Sequence, residues 1–133
     1  MGFGAGDLQA LAGILREAAA AEILPRFRRL RPSQIRAKSG PQDLVTVADV
    51  AAEEFIARAC SRAFPGALIV GEEEAATDAA LIPRLAGAPF AITVDPIDGT
   101  ANFCAGLPLF GVMAAVVEHG ETVAAVILDP IMD

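Results

Sequence analysis

The pattern of apolar and polar positions divides the chain into helices in its first half and strands in its second. Leu8, Leu11, Ile14, Leu15, Ala18 and Ala19 recur at the spacing of one helix face, with Asp7 as the candidate cap and Pro25 as the point where the helix ends or kinks. A second helix is predicted from Thr46, which followed three positions later by Asp49 resembles a capping box, to the breaker Phe64-Pro65-Gly66. Along it Val47, Ala51 and Phe55 form one apolar stripe, and Ala52, Ile56 and Ala59 an adjoining one. Leu68-Ile69-Val70 reads as a short buried strand running into an acidic loop, Gly71-Glu72-Glu73-Glu74. Residues 75–89 read as loop with at most a helical turn, because Pro83, Gly87 and Pro89 interrupt them. Ile92-Thr93-Val94 predicts a second strand that gives way to turn chemistry at Asp95-Pro96. Phe110 to Val117 and Thr122 to Leu128, joined at Gly120, predict a β-hairpin with His119 at its tip.

Composition narrows the classes. A chain of 133 residues has room for one core and buries roughly two thirds of the surface it exposes when unfolded. Hydrophobic residues make up 54%, yet no apolar run approaches the ~20 residues a bilayer requires, so no membrane partner is expected. Met1 to Gly6 lack the basic start and apolar core of a signal peptide, and Gly6 stands where a myristoylation signal needs Ser or Thr; the expected location is cytoplasmic. A net charge of −7 argues against a nucleic-acid backbone as partner. Arg26, Arg28, Arg29 and Arg31 read as a solvated basic face beyond the first helix. Cys60 and Cys104 form no C-x-x-C and read as reduced packing residues. His119 is the only histidine, which disfavours a Ser-His-Asp triad and a histidine-rich zinc site.

Candidate chemistry gathers where strands give way to acids. After Ile92-Thr93-Val94, Asp95 and Asp98 flank Pro96, Gly99 permits a close backbone approach, and Thr100 is a candidate N-cap. Carboxylates collect hard cations and helix N-termini collect phosphate. At Gly71-Glu72-Glu73-Glu74 a second strand–Gly–acid junction repeats the theme. Two carboxylates ~5 Å apart repel by roughly 3 kcal/mol at an effective dielectric near 20, and a cation reverses that sign. Asp-Pro-x-Asp-Gly is also plain β-turn vocabulary. An EF-hand loop from Asp95 fails, since its sixth and twelfth positions hold Thr100 and Gly106. A haloacid dehalogenase-type phosphatase would use Asp95 as nucleophile in Asp-x-Asp-Gly-Thr, but here one extra residue separates the aspartates.

Taken together, Lys38…Asp43-Leu44-Val45-Thr46-x-x-Asp49…Glu53, then Gly71-Glu72-Glu73, then Asp95-Pro96-Ile97-Asp98-Gly99-Thr100-Ala101-Asn102-Phe103 follow one another in the order and approximate spacing of the inositol monophosphatase family, which the chain resembles from its first helix onward. The resemblance implies an α+β fold, two helices packed on a mainly antiparallel sheet, forming the amino-terminal part of the sugar-phosphatase architecture. It implies hydrolysis of a small phosphorylated alcohol or sugar with two or three Mg²⁺ ions, and a homodimer at full length. Glu72, Asp95, the carbonyl of Ile97 and Asp98 would then hold metal. Glu72 would also take part in catalysis, Thr100 paired with Asp49 would orient the attacking water, and the N–H groups of Gly99 and Thr100 would hold the substrate phosphate. Glu73 and Lys38 would stand behind these ligands. Family members continue past Asp133 with a second half that carries a further metal-binding Asp in a Trp-Asp-x-Ala motif. This sequence contains no Trp, so the 133 residues alone are expected to be inactive or very weak. A non-catalytic binding or dimerisation module is the competing expectation.

Overall fold

The computed structural model describes residues 2–133. Helix α1, Ala5–Ala18, buries Leu11, Leu15 and Ala18, the face its periodicity predicts. Its N-cap is Gly4 rather than Asp7; Asp7 sits one turn in and accepts the Gly4 N–H at 2.9 Å. The helix widens into a π turn over Ala19–Ile23 and closes as a 3₁₀ turn over Leu24–Arg26, where Pro25 has no interior N–H to forfeit. The basic cluster beyond it is partly engaged. Arg26 pairs with Glu22 at 2.8 Å, and Arg28 lies over the Phe27 ring and donates Nε to the Gly106 carbonyl at 2.9 Å.

Two three-residue strands, β1 (Ile35–Ala37) and β2 (Leu44–Thr46), then pair antiparallel, with the Gly40-Pro41 loop between them. Strands this short carry no readable alternation. Helix α2, Val47–Ala63, begins with the expected capping box. Its buried face is Ala48, Asp49, Ala52, Glu53, Ile56 and Cys60, so the stripe through Val47 and Ala51 is not the core face, and Val47 is exposed. The capping box turns Asp49 inward and the rest of the helix follows that rotation.

Strand β3 (Leu68–Gly71) leads directly into helix α3 (Glu72–Thr77), so the acidic triplet opens a helix where a loop was expected. A second short helix, α4 (Leu81–Gly87), occupies the stretch read as loop. Strand β4 (Phe90–Asp98) is followed by the short helix α5 (Thr100–Cys104) and by the hairpin of β5 (Gly111–Glu118) and β6 (Glu121–Leu128). The sheet order is β3-β4-β5-β6, parallel between β3 and β4 and antiparallel elsewhere. Helices α1 and α2 pack on it around Leu11, Leu15, Ile56, Ile92, Val112 and Val116, the α+β arrangement the sequence predicts.

Two details of β4 differ from expectation. The strand does not stop at Val94: Asp95 still pairs with Met113, the register shifts, and Asp98 pairs with Gly111. The irregularity falls on Pro96, which has no N–H for a ladder, and on Ile97, which stays buried. Thr100 is the first helical residue and Gly99, at φ +90°, is the cap. Phe103 anchors α5 against Phe27 and Phe110, with ring centroids 5.7 and 5.1 Å away. At the far end of the sheet His119 (φ +51°) and Gly120 (φ +83°) make the hairpin turn. Among the described residues both cysteines are free, and no helix is long and apolar enough to cross a membrane.

Candidate functional site

Sheet register brings the acids together. Gly71 pairs in parallel with Val94, so the next residues along, Glu72 and Asp95, leave the same end of the sheet as neighbours. Across the β4 irregularity the chain delivers Asp98, then the Gly99 cap, then Thr100. From the other side α2 presents Asp49, which has no exposed surface. Thr100 Oγ1 lies 3.0 Å from Asp49 Oδ1 and 3.0 Å from the Ile97 carbonyl oxygen, so its single proton serves one acceptor at a time. The other Asp49 oxygen accepts the Thr46 N–H at 2.8 Å and the Thr46 hydroxyl at 2.7 Å. The capping box that starts α2 therefore also fixes the group facing Thr100.

Lys38 joins the cluster from the β1–β2 loop. Its ammonium is 3.3 Å from Glu73, 3.9 Å from Glu72 and 3.8 Å from Asp43. Burial alone would lower its pKa; Glu73, Glu72 and Asp43 outweigh burial and hold it above the usual lysine value. Thr46, Asp49, Thr100 and the Ile97 carbonyl thus form one set of contacts and Lys38, Glu72, Glu73 and Asp43 another, while the Asp98 side chain is exposed and joins neither by a hydrogen bond or ion pair among the described residues.

One positive charge does not offset this many acids. Burial first, then Glu72, Asp98 and Asp49, push the Asp95 carboxyl up to about 8. Burial also raises Asp49 against the hydrogen bonds from Thr46 and Thr100, and raises Glu73 against the pull of Lys38. Oδ1 of Asp95 is buried without a hydrogen-bond partner. A buried acceptor in that state costs about 1–3 kcal/mol, and a cation would remove the cost. Among the described residues no three His, Cys, Asp or Glu side chains form a ready metal cage. The donor set still suits a hard ion such as Mg²⁺, which keeps several waters and accepts backbone carbonyls beside one or two carboxylates. Ile97 has a lone pair to spare after accepting from Thr100. At the start of α5 the Thr100 N–H has no intrahelical partner.

Glu53 carries no role in the expectations drawn from the motifs. It lies one turn after Asp49 on the same buried face of α2 and reaches the start of α3. The available signal was a pair of acids at i and i+4 on a face that must be buried. A cavity of about 560 Å³, lined by Phe3, Phe64, Phe90, Glu118 and His119 among others, lies at the other end of the sheet and shares no residue with this cluster.

A model of the inositol monophosphatase family matches residues 7–133. The inositol-1-monophosphatase of Mesorhizobium japonicum is 38% identical over 107 residues, covering 80% of this chain and 38% of that protein. The Nus factor SuhB of Pseudomonas aeruginosa is 39% identical over 90 residues, or 68% of this chain and 32% of that protein. Among solved structures an IMPase of Thermotoga maritima superposes with a TM-score of 0.77 at 29% identity, covering 94% of this chain and 44% of that one. The suhB protein of Bartonella henselae gives 0.75 at 28% identity, covering 96% and 46%. The chain thus spans less than half the length of each of these relatives.

Proposed function

The chain belongs to the inositol monophosphatase family, and on that premise we propose that it serves the Mg²⁺-dependent hydrolysis of a small phosphate monoester of the inositol monophosphate kind. Glu72, Asp95, the Ile97 carbonyl and Asp98 are the residues that would hold two or three ions. Bound there, Mg²⁺ would supply charge neutralisation on the phosphoryl oxygens and a water acidic enough to attack near neutral pH.

The remaining roles fall to the chain itself. With its proton directed to Asp49, the Thr100 hydroxyl presents its oxygen as an acceptor and orients the attacking water. Asp49 holds that direction because Thr46 occupies its other oxygen. The N–H groups of Gly99 and Thr100, at the positive end of α5, bind the substrate phosphate. Lys38 and Glu73 stand behind Glu72, and the Lys38 ammonium limits the repulsion among the acids.

The observation that carries this reading is the partnerless, buried Oδ1 of Asp95 inside a group of acids that pushes its carboxyl up to about 8. An Asp95 in that state is also a poor nucleophile, and the family match leaves the haloacid dehalogenase route without support. Because the chain spans only 38% of the Mesorhizobium enzyme, the 133 residues alone are proposed to turn over weakly or not at all, and a homodimer belongs to the longer form. A binding or dimerisation module is the second reading, favoured by that same coverage and by a relative whose name is that of a Nus factor. Phosphate release from inositol 1-phosphate, measured with and without Mg²⁺, tests both. Weak Mg²⁺-dependent release excludes the module, and turnover equal to that of a full-length relative contradicts the proposed weakness.

A further inference from the structure

We propose that Glu53 is a positioning residue, which clamps the first turn of α3 so that the Glu72 carboxylate is delivered beside Asp95. The inference rests on the metal-binding reading above and adds to it a device in α2 that touches neither ion nor substrate.

Three independent observations carry it. Both oxygens of the Glu53 carboxylate are used on adjacent backbone donors: Oε1 accepts the Glu73 N–H at 2.8 Å and Oε2 the Glu74 N–H at 2.9 Å. These are donors that α3 cannot satisfy from within, and its N-cap, Gly71, has no side chain with which to do so. The cap is thus supplied from another helix, twenty residues earlier in the chain.

Secondly, the glycine is required for room. At φ −88° and ψ 150° Gly71 has an extended backbone that any residue adopts. A Cβ there would overlap Cγ, Cδ and Oε2 of Glu53. Gly71 and Glu53 therefore fit as a pair, the absent side chain of one leaving the space for the carboxylate of the other.

Thirdly, a carboxylate is an expensive way to fill this space. Glu53 is 8% exposed, and it makes no ion pair with any Lys or Arg among the described residues. Glu72 and Glu74 lie close enough to oppose its charge. An apolar side chain would pack there without desolvation or repulsion. What only the carboxylate provides is a hold on two consecutive N–H groups. Glu72 is then fixed on both sides, by the pairing of Gly71 with Val94 and by the Glu53 clamp on Glu73.

The test combines amide hydrogen exchange on the metal-free chain with Mg²⁺ affinity by calorimetry, for wild type, Glu53→Gln, Glu53→Ala and Gly71→Ala. Gln retains one acceptor oxygen and Ala none, while Gly71→Ala displaces the carboxylate without altering it. The expected result is slow exchange of the Glu73 and Glu74 amides in wild type, fast exchange in the variants, and a loss of Mg²⁺ affinity of roughly 10–100-fold that is larger for Glu53→Ala than for Glu53→Gln. Should the Glu53 variants fail to fold, Gly71→Ala decides by the same two readouts. Unchanged exchange overturns the clamp. Fast exchange with Mg²⁺ affinity within twofold of wild type overturns the positioning role and leaves the metal reading intact. A wild-type chain that takes up no Mg²⁺ rejects the metal reading, and the inference falls with it.

Discussion

The Thr100 hydroxyl and Asp49 Oδ1 lie 3.0 Å apart across 51 residues of sequence, and they join the first turn of α5 to the first turn of α2. The same carboxylate closes the capping box with Thr46, so one buried side chain supports a helix start and the candidate water-orienting group together.

Removing Asp49 should therefore cost more than an ordinary cap. Asp49→Ala loses the cap, about 1 kcal/mol, and leaves the buried Thr46 N–H and hydroxyl without their acceptor, while the Thr100 hydroxyl keeps the Ile97 carbonyl, for a total of roughly 2–4 kcal/mol. Thr100→Val, which removes the link between the helices together with the hydroxyl's contact to the Ile97 carbonyl, should cost about 1–2 kcal/mol. Urea unfolding of both variants and of the double variant checks this, since a shared interaction makes the two losses less than additive.

How much of this was legible in the sequence depends on how local each cause is. The core face of α1 and the β5–β6 hairpin follow from periodicity, and the Thr46–Asp49 box from a three-residue spacing. The rotation of α2 does not, because acids on its buried face defeat a stripe drawn from apolar residues alone. The start of α3 was hidden because its cap comes from Glu53, and the passage of β4 through Pro96 because the register shift depends on β5. The individual acids were legible as a motif; their convergence depends on the parallel pairing of Gly71 with Val94, which no local pattern carries.

The pH dependence of the metal-free chain has a definite sign. The folded-state pKa of Asp95, about 8, lies above its unfolded value, so the folded state holds a proton that the unfolded state has lost. That contribution is fully present below about pH 4, fades as pH rises, and is gone above about pH 8. The urea midpoint without metal should be lower near pH 8 than near pH 5, and Asp95→Asn should flatten this slope. Mg²⁺ must displace the same proton, so its apparent affinity should rise over the same interval, by at most about tenfold per pH unit.

Lys38 offsets part of the charge that a cation would neutralise. Lys38→Gln should lower metal-free stability by about 1 kcal/mol and raise Mg²⁺ affinity about threefold, since three acids lose their counter-charge. Thermal melting with and without Mg²⁺ reads both effects.

Gly99 sits at φ +90°, and a Cβ there would stand 3.0 Å from the Leu109 carbonyl oxygen. Gly99→Ala should cost about 1–3 kcal/mol in backbone strain and weaken the binding of inorganic phosphate at the start of α5. Urea unfolding and a phosphate titration followed by amide chemical shifts measure the two.

The most direct measurement is a calorimetric titration of the chain with Mg²⁺ near pH 8, beside the same titration of Asp95→Asn. Saturable uptake by the wild type that the Asn variant lacks is the predicted result. Absence of uptake by the wild type, or equal uptake by both, would contradict a cation site built around Asp95.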